Sequence, residues 1–273
     1  MAADCHVHTQ FSSDSKARPE DMIEEAVRRG LKTLCVTDHY DYLFPYDIPG
    51  GFVFDPDEYF RVFGKLKERY AGQIELNIGV EFGLRDEPDV KERNLEQLKM
   101  LEREYPFDFI IGSTHLIDSL DPYYPEFWDR KTKKEALGRY FGFIADNVKN
   151  YDCFDTCGHL DYMVRYVPSG ERDYDPADFA DLTDEILKTL IQKGKALEIN
   201  TAGLKYGLGF AHPKLEVLKR YRELGGELLT VGSDAHEPVH IAYGYEAAEE
   251  CIRAAGFRYI TVYKGRKPRQ IPI

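Results

Sequence analysis

An α/β barrel is the fold this sequence predicts. Short β-prone runs alternate with helix-period segments along all 273 residues, and no Ser/Gly linker, low-complexity tract or internal repeat interrupts them. Such alternation means parallel strands joined by crossover helices. No glycine-rich dinucleotide fingerprint follows the first strand, which favours closure into a barrel over an open doubly wound sheet. A chain of 273 residues suits one such barrel, so a single domain over 1–273 is expected.

Taken in order, the strands are predicted at 4–8, 33–39, 74–81, 107–115, 154–159, 195–200 and 227–234, with an extra run at 259–263. Helices fill the gaps near 19–29, 57–70, 89–104, 132–149, 178–193, 214–224 and 245–255, giving roughly seven βα units. Within the gaps apolar residues recur every three to four positions, as in Phe60, Phe63, Leu66 and Tyr70 or Phe179, Leu182, Ile186 and Ile191, which marks core-facing stripes. Boundaries are legible too. Pro19-Glu20-Asp21 places proline and acids in a first turn, and Arg28-Arg29-Gly30 places bases and a glycine at an end.

Composition removes several functional classes. Forty-eight acidic against thirty-six basic residues give a formal charge of −12, which repels nucleic-acid backbones, and no local basic track offsets it. No stretch approaches the roughly 18 apolar residues that span a bilayer, so no membrane association is expected. The run Met1-Ala2-Ala3-Asp4-Cys5-His6 lacks the regions of a signal peptide, and a cytoplasmic location is expected. Of five cysteines, Cys5, Cys35 and Cys157 lie in apolar runs and are expected to pack as reduced thiols rather than bridge or bind metal.

The chemistry-bearing residues are distinguished by position. His6 and His8, His39, Glu81, His115, His159, and Asp234 with His236 all fall at or just past the ends of predicted strands. In a barrel of parallel strands those ends meet around one rim. His6-Val7-His8 puts two imidazoles on one face of an extended strand, and Asp234-Ala235-His236 repeats the spacing with a carboxylate. Mixed nitrogen and oxygen donors suit zinc, manganese or iron better than calcium or magnesium. A lone histidine is more often a hydrogen-bonded core or surface residue, but six of the eight sit at strand ends, while His212 and His240 lie in loops and read as ordinary. Glu81 and Asp234 close apolar runs, where an unpaired charge is costly and a cation is the simplest partner. Gly112, Gly158 and Gly232 precede these positions and imply close backbone packing at the rim, simple strand breaking being the alternative.

These motifs resemble the polymerase and histidinol phosphatase (PHP) superfamily. The matching residues are His6-Val7-His8-Thr9 with Phe11-Ser12-Ser13-Asp14, Thr37-Asp38-His39, Gly79-Val80-Glu81, Ser113-Thr114-His115, Gly158-His159-Leu160-Asp161, Glu198-Ile199-Asn200-Thr201 and Gly232-Ser233-Asp234-Ala235-His236, in the family's order. The resemblance implies a distorted (β/α)7, TIM-like barrel holding three divalent metal ions. One ion would take His6, His8, Glu81 and Asp234; a second would share Glu81 and add His115 and His159; a third would take Asp14, His39 and His236. Some relatives carry histidine where this chain has Asp14. The segments Gly158 to Tyr166 and Glu198 to Leu204 are similar to the monofunctional histidinol-phosphate phosphatases. There, basic residues after these strands bind substrate phosphate, which implies Arg165 and Lys205 here; solvated surface charge is the alternative for both.

The implied reaction is hydrolysis of L-histidinol phosphate to L-histidinol and phosphate, a step of histidine biosynthesis. A metal-bridging hydroxide is a competent nucleophile because bound cations depress the pKa of water from about 15.7 toward 7. Asp38 and Asp161, each beside a candidate ligand, are placed to orient an imidazole through its second nitrogen or to cap a helix. Segments 40–56 and 116–130 are rich in aromatic residues with acids at Asp41, Asp47, Asp118 and Asp121, suiting a small cationic phosphomonoester or merely packing the loops. A phosphotyrosine protein, a nucleotide or a nucleic-acid 3′ end are alternative substrates, and a non-catalytic metal-stabilised binding protein is a further reading. The sequence leaves the general acid, the metal identity and the oligomeric state open.

Overall fold

In the computed structural model residues 1–49, 51–168 and 170–273 are described; Ser169, and Gly50 within the 40–56 segment, lie outside the described residues. The elements in chain order are β1 (Ala3–Asp4), α1 (Pro19–Arg28), β2 (Thr33–Val36), β3 (His39–Tyr40), α2 (Pro56–Arg69), β4 (Glu75–Gly83), α3 (Lys91–Glu104), β5 (Phe109–Ser113), α4 (Pro125–Trp128), α5 (Lys133–Asn150), β6 (Thr156–Cys157), α6 (Ala180–Gln192), β7 (Ala196–Asn200), α7 (Ala202–Lys205), α8 (Leu215–Glu223), β8 (Leu229–Gly232), α9 (Tyr245–Ala254), β9 (Tyr259–Lys264) and β10 (Lys267–Pro272). Each helix expected from periodicity is present, its ends within about two residues of the sequence reading. Local chemistry explains the starts. Asp55 caps α2 by accepting from the Asp57 and Glu58 amides at 2.9 and 3.3 Å, and Thr132 with Glu135 forms a capping box on α5.

The strands are parallel and ordered β1-β2-β4-β5-β6-β7-β8, with β3 continuing the line of β2 against β4. The sheet closes on itself. Cys5 N–H donates to Val231 O at 2.9 Å, Asp234 N–H to His6 O at 2.9 Å and His8 N–H to Ala235 O at 2.8 Å, joining the segment after β1 to the segment after β8. The result is a distorted TIM-like βα barrel. The predicted strands 4–8 and 154–159 are regular over only two residues each. Their backbones still pair beyond those limits, as in Asp155 N–H to Ile110 O and Gly158 N–H to Gly112 O.

The extra run at 259–263 is half of an antiparallel hairpin, β9 with β10. It covers the end of the barrel where strands begin: Tyr263 stacks on Phe109 at 5.1 Å, Asn77 Nδ2 donates to Tyr263 O, and Arg266 pairs with Asp155 at 2.5 Å and Glu102 at 2.9 Å. One end of the barrel is thereby sealed. The strands' carboxyl ends face the other way, and the chemistry gathers there. Cys5, Cys35 and Cys157 are buried and unbridged, as packed thiols would be, and Cys153 is buried and unbridged as well.

Candidate active site

Glu81, on β4, is the hub. It is fully buried, and its Oε1 lies 2.9 Å from His159 Nε2 and 3.2 Å from His115 Nε2 while accepting from Ser113 Oγ at 2.6 Å. Its Oε2 lies 3.0 Å from His39 Nδ1, 3.3 Å from His6 Nε2 and 3.6 Å from His8 Nε2. Five imidazoles from four strand ends thus surround one carboxylate. Asp234 Oδ1 stands 3.3 Å from His8 Nε2 and 3.5 Å from His236 Nδ1. Asp14 Oδ2 stands 3.3 Å from His236 Nε2 and 3.6 Å from His39 Nε2. All nine residues expected as ligands come together. Their donor atoms form close sets, among them His6, His8 and Glu81; Glu81, His115 and His159; and His8, His39 and His236.

Backbone detail makes the crowding possible. A Cβ on Gly232 would lie 2.2 Å from His6 Cβ, and one on Gly158 would lie 2.3 Å from Ser113 Oγ, so close packing, not strand breaking, explains both glycines. Asp234 itself holds φ 54°, the left-handed region that aspartate tolerates better than most side chains, and such strain clusters at functional sites.

The imidazoles are aimed by residues behind them. His6 Nδ1–H donates to Glu198 Oε1 at 2.6 Å, and His115 Nδ1–H donates to Asp41 Oδ1 at 2.7 Å. His8 Nδ1–H donates to Ser12 Oγ at 3.0 Å, because the Ser12 hydroxyl is itself spent on Asp38 Oδ1 at 2.8 Å; the tautomer follows from that network. With Nδ1 engaged, His6 Nε2 and His8 Nε2 carry lone pairs toward the hub, and both, with Glu81 Oε2, are buried without a hydrogen-bond partner. Buried polar atoms are ordinarily satisfied. Several orphaned nitrogen and carboxylate donors converging on one point fit divalent cations, and the donor set suits the zinc, manganese or iron class.

Two sequence expectations about orienting carboxylates are corrected here. Asp38 touches no imidazole; it accepts from the Thr9 and Ser12 amides and hydroxyls, and so works on His8 through Ser12. Asp161 does bond an imidazole, but that of His212 at 2.5 Å, not its neighbour His159, and it also accepts from Tyr174 Oη at 2.7 Å. His212, read as an ordinary loop residue, is fully buried, held by paired backbone bonds to Asn200. His240, read the same way, lines the cavity described below. Asp41 and Glu198 received no orienting role from sequence. Asp41 had a signal, since His39-Tyr40-Asp41 repeats the spacing of His6-Val7-His8.

The ring's imidazoles and carboxylates shift one another strongly. Burial alone would raise the Glu81 carboxyl, but His6, His115 and His39 hold it well below the usual carboxylate range. Burial likewise works against the charged form of His6, yet Glu198, Glu81 and Asp234 carry it well above its ordinary value. At His115 burial is outweighed by Asp41 and Glu81, which lift it to about 10. His8 goes the other way, pushed down by burial and by the neighbouring His236 and His39.

A cavity of about 720 Å³ opens above the ring. Phe44, Ile48 and Phe52 from one expected loop, and Asp121, Tyr123 and Tyr124 from the other, line it with Arg165 and Lys205. The Arg165 guanidinium lies 4.5 to 5.0 Å from the ring centres of Tyr162, Tyr166 and Tyr206. Its Nε is buried without a partner, and no carboxylate among the described residues pairs with it. A guanidinium so placed has donors free for an anion. Lys205 Nζ donates to Asp234 O at 3.0 Å, and burial pushes its ammonium down. Of the four loop acids, Asp41 and Asp121 line the cavity, Asp47 is exposed, and Asp118 pairs with Arg139 at 2.6 Å.

Comparison with known proteins agrees with this geometry. Residues 4–202 match the PHP domain family. The histidinol-phosphatase of Lactococcus lactis subsp. lactis is 33% identical over 270 residues, covering 97% of this chain and 95% of that protein. A Clostridium acetobutylicum protein named "Probable histidinol-phosphatase" is 32% identical over 248 residues, with 91% of each chain covered. A crystal structure of histidinol phosphate phosphatase from L. lactis subsp. lactis, complexed with zinc, L-histidinol and phosphate, superposes with a TM-score of 0.87 at 32% identity over 98% of both chains. Shared motifs, shared barrel and full-length similarity have one source: the chain belongs to the PHP domain family.

Proposed function

We propose that this protein is a metal-dependent phosphomonoesterase that hydrolyses L-histidinol phosphate to L-histidinol and phosphate, a step of histidine biosynthesis. The observation that carries the reading is the juxtaposition of orphaned imidazole and carboxylate donors around Glu81 with the cavity above them, into which a half-buried Arg165 with no carboxylate partner among the described residues is set. Similarity along the whole chain to a histidinol-phosphatase supports the substrate.

The residues that would hold the ions are His6, His8, Glu81 and Asp234; His115 and His159 with the shared Glu81; and Asp14, His39 and His236. Divalent cations bound there supply a nucleophile at neutral pH and offset phosphoryl charge. The chain's own side chains do the positioning. Glu198, Ser12 and Asp41 fix imidazole orientation, Ser113 holds one oxygen of Glu81, and Arg165 with Lys205 receives phosphoryl oxygens. The aromatic lining lowers the polarity around the site, which strengthens each of these charge interactions. Among the described residues no helix is long and apolar enough to cross a membrane.

The test is steady-state hydrolysis by metal-reconstituted protein of L-histidinol phosphate, tyrosine phosphate, a mononucleotide and 4-nitrophenyl phosphate. A kcat/KM advantage of about 100-fold or more for histidinol phosphate is expected, the scale set by one or two charge-assisted contacts. Equal values across the panel would remove the substrate assignment, chelator-insensitive hydrolysis would remove the metal dependence, and absent hydrolysis would remove the phosphoesterase.

A further inference from the structure

Arg165 provides a cavity-lining cation for the phosphate, and the cavity also holds a carboxylate that nothing in the reaction uses. We infer that Asp121 selects the substrate by accepting the protonated amine of an amino-alcohol phosphate, an inference that rests on the phosphomonoesterase reading above.

Asp121 sits in the segment between β5 and α4 and lines the cavity. Its backbone is fixed: the amide donates to Tyr46 Oη at 3.2 Å, and Tyr46 stacks on Tyr124 at 4.4 Å, pinning one cavity loop to the other. Its Oδ1 accepts from the Tyr123 amide at 2.8 Å. The carboxylate is therefore aimed, not mobile. The other cavity acids are committed elsewhere, Asp41 to His115 and Asp14 and Asp234 to His236, while Glu237 is exposed. Among the described residues no Lys, Arg or His lies within ion-pair distance of Asp121.

A half-buried carboxylate among aromatic rings with no cation of its own carries a desolvation cost that a cationic ligand offsets. Burial accordingly raises its carboxyl, with Asp41 acting in the same sense and His115 and Arg165 against it. Phe44, Phe52, Tyr123 and Tyr124 supply the ring faces that a cationic or heteroaromatic group packs against. A phosphate at Arg165 and an amine at Asp121 would make the cavity read both signs of a zwitterionic substrate. A site built around a polar contact rejects an analogue that lacks the partner far more strongly than one that lacks a methylene.

The experiment compares kcat/KM for L-histidinol phosphate and for imidazolylpropyl phosphate, the same molecule without its amine, in metal-loaded wild type, Asp121→Asn and Asp121→Glu. In wild type, removing the amine should cost about tenfold or more, the scale of one charge-assisted bond. In Asp121→Asn that ratio should fall close to one, whatever happens to the absolute rates, and Asp121→Glu should retain part of it. An Asn variant that keeps the full ratio, or a wild type that does not distinguish the two substrates, overturns the inference. The broader reading fails separately, if wild type handles neither imidazole phosphate better than 4-nitrophenyl phosphate.

Discussion

Glu198→Gln is the substitution that most sharply separates an orienting residue from a packing one. Glu198 is 1% exposed, and both of its oxygens are engaged. Oε1 accepts from His6 Nδ1–H at 2.6 Å, while Oε2 accepts from the His159 amide at 2.8 Å and Asn200 Nδ2 at 3.2 Å. Glutamine preserves the volume but has one acceptor end. If its oxygen keeps the His159 amide, its NH2 faces His6 Nδ1, and the imidazole must turn to the tautomer that carries its proton on Nε2. That proton then points at Glu81 Oε2, 3.3 Å away, where a lone pair is needed for a cation. The lost interaction is a charge-assisted hydrogen bond of about 1.5 to 3 kcal/mol, so metal affinity should fall by roughly 10- to 150-fold, in line with other residues that brace metal ligands. The assay is competition with a chromophoric chelator, read beside kcat/KM at limiting and saturating metal. Excess metal should restore much of the activity, and the thermal midpoint of metal-free protein should change far less than metal affinity does. Wild-type metal affinity in Glu198→Gln would refute the reasoning.

Three further outcomes follow from other parts of the molecule. Arg165→Ala should lower kcat/KM for phosphomonoesters by roughly 10- to 150-fold, one charged contact, and weaken inhibition by inorganic phosphate; unchanged inhibition would take Arg165 out of the anion site. Since the neighbouring Asp41 and Glu81 lift the His115 imidazole to about 10 in the metal-free protein, it carries a proton at pH 7 that a cation must displace. Calorimetry in buffers of different ionisation enthalpy should therefore show proton release on cation binding, with affinity rising as pH rises; buffer-independent heats would contradict this. Arg266→Ala, at the sealed end of the barrel, should cost about 1 to 3 kcal/mol through its bonds to Asp155 and Glu102, lowering Tm by several degrees without altering kcat; a shifted kcat would mean the two ends are coupled.

Much of this architecture is legible in sequence because it rests on period. Alternation of strand and helix segments yields the barrel, and placement at strand ends yields the ring of His6, His8, His39, Glu81, His115, His159, Asp234 and His236. Period two says that Asp41 and Glu198 point inward, but it does not say which neighbour each meets. Those pairings depend on register, in which His39 lies beside Glu81 and Glu198 beside Thr230. Asp38 and Asp161 read from sequence as orienting an imidazole or capping a helix, and only the fold shows that Ser12 meets one and His212 the other. The burial of His212 arises from its backbone pairing with Asn200 across a long connection, which leaves no trace in local pattern. The strand β10 was equally hidden, since Lys267–Pro272 carries two prolines and mostly polar side chains, a composition tolerated only at a sheet edge.

The most direct test of the central claim is anomalous diffraction from crystals grown with zinc or manganese and orthophosphate. Anomalous peaks should fall among His6, His8, Glu81 and Asp234, beside His115 and His159, and beside Asp14, His39 and His236, with phosphate bridging them to Arg165. A ring with no peak around Glu81, or a phosphate bound away from Arg165, would contradict the account.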